Sequence, residues 1–198
     1  MPNISRYHPL LVVLHWLLAV LVVAALTLGA LVMAKLPNSD PMKLEALRSH
    51  MFGGALILTL MLVRLFVRTR TAHPPVATTG SSLLDKVAWA SHRLFYVLIT
   101  GMVASGAIMV FQTGLFEIAY GGHGALPPDL WVYPIRSVHY LVSRFLMVLI
   151  ALHITGALYH ALILKDGLLH RMAFGRRVLA NRHATISTVQ QTIAKVQS

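Results

Sequence analysis

Four long runs of apolar residues alternate with short polar stretches along the chain, at residues 10–34, 50–67, 87–111 and 137–164. About 20 apolar residues allow an α-helix to cross a bilayer, because each residue adds about 1.5 Å along the axis. The first run is too long for a signal-peptide core, and no convincing cleavage site follows it, so we expect it to be retained. The pattern predicts an all-α fold, a transmembrane four-helix bundle.

Proline, glycine and polar residues mark the connections between these runs. The longest connection, residues 112–136, is too polar and too rich in Gly and Pro to span, and we expect it to lie across one end of the bundle. Its Trp131 and Tyr133 are typical of a membrane interface. We predict one domain over residues 1–175, followed by a basic and polar cytoplasmic tail at residues 176–198.

The composition supports a membrane protein, since 57% of the 198 residues are hydrophobic and only 12% are charged. The formal net charge is +11, but the basic residues lie beside the apolar runs rather than in a patch interleaved with aromatic residues. This distribution argues against nucleic-acid binding. The lack of cysteine excludes c-type haem attachment, thiolate metal sites and iron–sulfur clusters. Histidine, with eleven residues, is the main resource for metal ligation.

Basic residues are divided unequally between the two ends of the predicted bundle, and this inequality predicts its orientation. One end collects Arg6, Arg64, Arg68, Arg70, Lys86, Lys165, Arg171, Arg176, Arg177 and Arg182, and the other has Lys35, Lys43, Arg48 and Arg136. Because positive residues accumulate on the cytoplasmic side, both termini are predicted to be cytoplasmic. We call this end inner and the opposite end outer.

The fourth run carries histidines at a spacing that places them on one face. His139 and His153 are fourteen residues apart, which leaves them within about 40° of each other and roughly 21 Å apart along a helix axis. Polar side chains inside hydrocarbon are costly and mark functional sites by default. A single such histidine can equally be a hydrogen-bonded packing residue, so the other runs decide the interpretation.

The same fourteen-residue spacing recurs in the other three runs. His15 precedes Gly29, His50 precedes Arg64, and His92 precedes Gly106. Because successive spans run in opposite directions, these residues fall into two layers. The outer layer holds His50, His139, Gly29 and Gly106, and the inner layer holds His15, His92, His153 and Arg64.

Each layer has the materials for a b-type haem held between two helices by one imidazole from each. The glycines would leave room for a flat macrocycle, although a glycine in a span is more often a helix-packing contact. Arg64 at the inner margin can pair with haem propionates. Depth pairs His50 with His139, but it leaves His153 free to pair with either His15 or His92.

On these residues the sequence resembles the bacterial cytochrome b561 family of four-helix di-haem membrane cytochromes. The resemblance covers about residues 6–175 and is carried by His15-Trp16, His50, His92, His139, His153, His160 and Lys165-Asp166. It implies His15 with His153 on the inner haem iron and His50 with His139 on the outer one. His92 and His160 would then be non-ligands, and the protein would lie in the bacterial inner membrane.

The resemblance further implies electron transfer to ubiquinone, with superoxide as the best-defined small-molecule donor. Lys43, Arg48 and Arg136 lie close in sequence to the outer ligands and could steer a small anion. They could equally pair with haem propionates or with Asp40, Glu45 and Asp129. We therefore expect a superoxide:ubiquinone oxidoreductase, with these three residues as the candidate catalytic group.

For ubiquinone, His160 is the favoured hydrogen-bond and proton partner, with His92, Arg93 and Lys165 as weaker candidates. His160 could instead simply cap the end of its helix. Two other functions compete: a cytochrome b subunit linking the quinone pool to a periplasmic redox partner, and a non-redox membrane transporter lined by histidines. Arg144 should face away from the histidine stripe, where it could snorkel or pair with an Asp or a carbonyl of another chain, and the sequence does not decide its role.

Overall fold

Four long helices form the body of the protein in a computed structural model that describes residues 3–75, 78–173, 175 and 179–180. Apart from a two-residue strand, the predicted tail at residues 176–198 lies outside this range. The long helices are α1 (Pro9–Thr27, continued by a π-helical segment at Leu28–Met33), α2 (Pro41–Arg70), α3 (Ser82–Thr113) and α4 (Pro134–Tyr159, continued by a π-helical segment at His160–Leu164). All four are long and apolar enough to cross a membrane.

Prolines fix the starts of three of these helices. Pro9, Pro41 and Pro134 each occupy the first turn, where a missing N–H costs nothing. The Asp40 side chain accepts a hydrogen bond from the Met42 N–H, 2.8 Å away, and caps α2. Helix α2 therefore begins nine residues before the apolar run at 50–67, and His50 lies inside the helix rather than at its start.

The buried core lies between the two predicted layers. Its centre consists of Leu18, Val22, Ile57, Met61 and Leu146, and each of these falls inside the fourteen-residue interval of its own helix. Helices α1 and α2 pack closely along their length, as do α3 and α4. Much of the outward surface is exposed and apolar, with Phe111 at 89% exposure, as expected of helices that face lipid.

The long connection after α3 folds over one end of the bundle, as the sequence predicts. It contains a π-helical turn at Glu117–Gly121 that packs against α2. The Asn38 side chain donates to the carbonyl of Pro127, 2.6 Å away, and so joins this connection to the one between α1 and α2. The connection forms a cover over the outer end.

The segment before α1 and the segment after α4 meet at the opposite end of the bundle. Strand β1 (Asn3–Ile4) pairs antiparallel with β2 (Leu179–Ala180), and the Tyr7 N–H donates to the carbonyl of Arg171 in the short helix α5 (Leu168–Arg171). The indole N–H of Trp16 also donates to the carbonyl of Met172, 2.9 Å away. The segment after α4 is thus fastened to the start of α1, next to His15.

Candidate functional site

The outer layer brings together the residues predicted for it. His50 on α2 faces His139 on α4 with ring centroids 6.1 Å apart and planes at 74°. A Cβ added at Gly29 would lie 3.7 Å from Cε1 of His50, and one added at Gly106 would lie 3.4 Å from Cε1 of His139. Each glycine therefore leaves its space to an imidazole of the pair.

Only one ring of the outer pair is hydrogen-bonded to another side chain in the described residues. Nδ1 of His139 is 2.9 Å from the hydroxyl oxygen of Ser105 on α3. Nδ1 of His50 is buried and has no hydrogen-bond partner within the part of the chain that the structure describes. A buried polar atom without a partner is costly and calls for an explanation, such as a bound group.

The inner layer contains three imidazoles around His153. The ring centroid of His15 on α1 lies 6.3 Å from that of His153, and the centroid of His92 on α3 lies 5.6 Å from it. His15 and His153 are half-buried, whereas His92 is exposed. Phe95 also packs against His153, with centroids 5.3 Å apart. The structure thus places both candidate partners beside His153, and proximity alone does not choose between His15 and His92.

Arg64 reaches into the inner layer from α2. Its Nη1 donates to the hydroxyl of Tyr96 on α3, 2.5 Å away, while its buried Nε has no partner among the described residues. Its charge interacts with His15, His92 and His153. Within the described ranges no carboxylate lies within ion-pair distance of Arg64. A cation inside an apolar bundle without an anionic partner is suited to an anionic ligand.

The two layers fit b-type haem. A metal lies about 2 Å from each imidazole nitrogen, so a linear pair of imidazoles needs ring centroids roughly 6.3 Å apart. The pairs His50–His139 and His15–His153 come within 0.2 Å of this separation, at 6.1 and 6.3 Å. In each pair one imidazole comes from α4 and the other from α1 or α2. No cluster of three or more ligands for a metal ion occurs in the described ranges.

Comparison with known proteins identifies the family of the chain. The family model for prokaryotic cytochrome b561 matches residues 6–175, which is most of the chain. The chain belongs to this family. Family membership makes it a membrane electron-transfer protein, implies b-type haem and removes the non-redox transporter from the alternatives.

Three curated relatives match nearly their whole lengths. A probable superoxide oxidase, CybB, from Yersinia pestis is 27% identical over 85% of this chain and 96% of its own. Cytochrome b561 homolog 1 from Escherichia coli K12 is 24% identical, covering 85% and 97%. Cytochrome b562 from Cereibacter sphaeroides is 31% identical, covering 84% and 94%. Relatives of this cytochrome b561 family member thus carry different names, so the family fixes the redox class but not the substrate.

The three candidate steering cations all lie at the outer end but differ in their surroundings. Lys43 is 7% exposed, and its ammonium donates to the carbonyls of Met33 and Leu36, so it closes the end of α1. Arg48 pairs with Glu45 and donates to the carbonyl of Ala119 in the outer cover.

Arg136 differs from Arg48 because it has no carboxylate partner in the described part of the chain. It differs from Lys43 because its guanidinium lies 4.5 Å from the ring centroid of Trp131 rather than on backbone carbonyls. Its charge interacts with both His50 and His139. Of the three predicted cations, Arg136 is the one whose charge acts on both imidazoles of the outer pair.

The quinone candidates separate into two places. Nδ1 of His160 is 2.6 Å from a carboxylate oxygen of Asp166, whose other oxygen accepts from the Leu168 N–H. The bond from His160 lowers the pKa of Asp166 below its ordinary value, which keeps the carboxylate ionised. His92 instead contacts His153. Lys165 has a left-handed backbone, with φ of 50°, at the turn between His160 and Asp166.

Arg93 and Arg144 both rest on aromatic rings. The Arg93 guanidinium stacks 3.4 Å from the ring centroid of Trp89, one helical turn earlier. Arg144 lies 4.6 Å from the centroid of Tyr140, also one turn earlier, in a shallow groove between α1 and α4. Both arrangements extend an arginine along its own helix, as snorkelling side chains do.

Three residues of the candidate sites escaped the sequence interpretation. Ser105 contacts His139, Tyr96 contacts Arg64, and Asp166 contacts His160. Asp166 is part of the family resemblance but had no assigned role. Ser105 and Tyr96 carry one detectable signal, since both sit within about one turn of the predicted layer positions Gly106 and His92 on α3.

Proposed function

We propose that this protein is a di-haem superoxide:ubiquinone oxidoreductase of the bacterial inner membrane. The observation that carries the proposal is the pair of facing imidazoles at each of two depths, 6.1 Å apart in the outer layer and 6.3 Å apart in the inner layer. The apolar core between these layers supports a path across the low-dielectric interior of a membrane.

In this proposal His50 and His139 would hold the outer haem, and His15 and His153 would hold the inner one. The inner pairing rests on ring separation, because the centroids of His92 and His153 are only 5.6 Å apart, closer than the separation that a shared metal needs. Arg64 would pair with a propionate of the inner haem, and Gly29 and Gly106 give the outer imidazoles their space. Bound haem supplies reversible one-electron chemistry between ferric and ferrous iron.

Superoxide would be oxidised at the outer end. Two superoxide anions give two molecules of dioxygen and two electrons, and one ubiquinone takes those electrons with two protons to become ubiquinol. Arg136 attracts the anion, because its charge acts at the outer pair and no neighbouring carboxylate neutralises it in the described residues. Lys43 and Arg48 hold the outer end together and add to the local positive potential.

Ubiquinone would be reduced at the inner end beside His160. With Nδ1 bound to Asp166, the His160 ring presents Nε2 to a quinone oxygen and can pass a proton to it. His92, Arg93 and Lys165 are secondary candidates for quinone contacts. The excess of basic residues at this end supports a cytoplasmic location for it and for both termini.

The competing function is an electron-transfer subunit that links the quinone pool to a periplasmic protein. Trp131 in the outer cover favours it, because its side chain is 52% exposed beside Arg136 and aromatic residues with arginine are common at interfaces. In that case purified protein would react slowly with superoxide, and a redox partner would copurify with it.

The first test measures reduction of the haem by superoxide in Arg136→Gln at several ionic strengths. Loss of the attracting charge should slow the reaction several-fold at low salt, and the difference should shrink as salt screens the charge. Lys35→Gln, at the same end of the bundle, is the matched control and should behave as wild type. Equal rates for Arg136→Gln and wild type at every ionic strength would reject the steering role.

The second test measures reoxidation of the protein by a soluble ubiquinone in His160→Gln. The rate should fall at least several-fold, because the proton partner is lost, while reduction by superoxide stays normal. His170→Gln, an exposed histidine at the same end, is the control. Normal quinone-dependent turnover in His160→Gln would leave His160 with the structural role of fastening Asp166.

A further inference from the structure

Ser105 is an unusual residue in the membrane-spanning part of α3. Its side chain is polar but only 3% exposed, and it shares this burial with Lys43 alone among the polar and charged residues that the structure describes. Its hydroxyl oxygen lies 2.9 Å from the carbonyl oxygen of Met102 and 2.9 Å from Nδ1 of His139. It therefore contacts a candidate haem ligand from behind.

The hydrogen bonds of Ser105 indicate which ring nitrogen of His139 carries the hydrogen. A serine hydroxyl carries one hydrogen, while its oxygen can accept others. A carbonyl oxygen can only accept, so the contact with Met102 is favourable when Ser105 donates its hydrogen there. The remaining contact is then satisfied when His139 donates its Nδ1–H to the Ser105 oxygen. This arrangement leaves the lone pair of Nε2 free for a metal.

Gly106, the residue after Ser105, lies beside the same imidazole ring of His139. A Cβ at Gly106 would lie 3.4 Å from Cε1 of His139 and 3.7 Å from its Nδ1. The consecutive residues Ser105 and Gly106 thus fix the ring's hydrogen bond and leave room for its edge. His50, on the other side of the outer layer, has no such support at Nδ1 within the described residues.

We propose that Ser105 is a positioning residue for the outer haem: it holds His139 in the tautomer and orientation that direct Nε2 to the iron. The proposal rests on the outer site of the proposed function. A hydrogen-bond acceptor behind a metal-bound imidazole fixes the ring and makes it a stronger electron donor. A stronger donor favours ferric iron, so the Ser105 oxygen lowers the midpoint potential of the outer haem.

The test is a redox titration of haem-loaded protein carrying Ser105→Ala, followed by optical spectra and by electron paramagnetic resonance of the oxidised state. The potential of the outer haem should rise and its resonance signal should shift, because the ring loses its side-chain acceptor and keeps only its backbone contact with Met102. The inner haem should keep both properties. The haem that disappears in His139→Ala identifies which signals belong to the outer site.

Two further variants make the outcome decisive. Ser91→Ala removes another serine on α3, whose hydroxyl donates to the carbonyl of Ala88, 2.9 Å away, and is hydrogen-bonded to no histidine among the described residues. It should change neither haem. Ser105→Thr keeps the hydroxyl and should restore the wild-type potential of the outer haem, even if Ser105→Ala loses that haem entirely.

The proposal is overturned if Ser105→Ala titrates as wild type, if it shifts both haems equally, or if Ser105→Thr behaves as Ser105→Ala. These results differ from a failure of the proposed function. If His139→Ala retained both haems, or wild type bound none, the outer site itself would be rejected before Ser105 was considered.

Discussion

The outer and inner layers both bring imidazoles together, but they differ in how many imidazoles they contain and in which side chains contact them. The outer layer offers a single pair of imidazoles, of which His139 is held by Ser105. The inner layer offers three imidazoles and a charged Arg64, held in turn by Tyr96. Depth alone therefore predicts the outer pair, whereas the proposed inner pair rests on ring separation.

This difference shows how a four-helix bundle separates two similar sites. In the outer layer the positions on the two remaining helices are glycines, so these two positions leave their space to the imidazoles. In the inner layer the corresponding positions are His92 and Arg64, and Arg64 adds a permanent positive charge. We expect the inner haem to feel the stronger positive field.

The largest effect is expected when His15 is removed, and comparison with removal of His92 tests which helix supplies the second ligand of the inner haem. In His15→Ala the inner haem should be lost, so the haem content should fall from about two per chain to about one, because a bis-histidine site loses an axial ligand. In the matched variant His92→Ala about two haems should remain. The measurement is a pyridine haemochrome count. The opposite result for the two variants would move the inner ligand from α1 to α3.

A smaller effect is expected from Arg64→Gln. Removing a positive charge near the inner haem should lower its midpoint potential by tens of millivolts, since ferric iron is then less destabilised. The outer haem should shift much less. Arg70 lies on the same helix, with its guanidinium over the ring of Phe66, and it provides the control. Arg70→Gln should leave both potentials unchanged. A shift confined to the outer haem would contradict the placement of Arg64.

The smallest effects are expected at the glycines. Gly106→Ala should reduce the content of the outer haem in part, because the new methyl group would meet His139 at 3.4 Å, tighter than most contacts. Gly29→Ala meets His50 at an ordinary 3.7 Å and should have less effect. Gly101→Ala on α3 has free space and serves as control. A larger loss of haem in Gly29→Ala than in Gly106→Ala would contradict this expectation. It would show that the haem plane, rather than the imidazole edge, occupies the space beside the glycines.

The sequence is sufficient to predict four long apolar helices and the residues that lie together at each depth. Fourteen-residue spacings on helices of alternating direction depend only on helix geometry, so the amino-acid pattern alone groups His50, His139, Gly29 and Gly106. The family match confirms the cytochrome b561 resemblance. The axial roles of the individual histidines remain predictions.

Other features could not be read from the pattern. The first nine residues of α2 include charged side chains, so hydropathy misses them, while Asp40 and Pro41 fix the true start. A count of charges cannot show that Lys43 is buried against the end of α1. The contact between Ser105 and His139 joins residues 34 positions apart, and only tertiary packing creates it.

The central claim is that two bis-histidine haem sites lie one above the other. Its most direct test is the haem content of wild type, His139→Ala and His153→Ala, each combined with a redox titration. We predict about two b haems in wild type, and about one in each variant, with the two variants retaining haems of different midpoint potential. One haem in wild type, or the same remaining haem in both variants, would contradict the account.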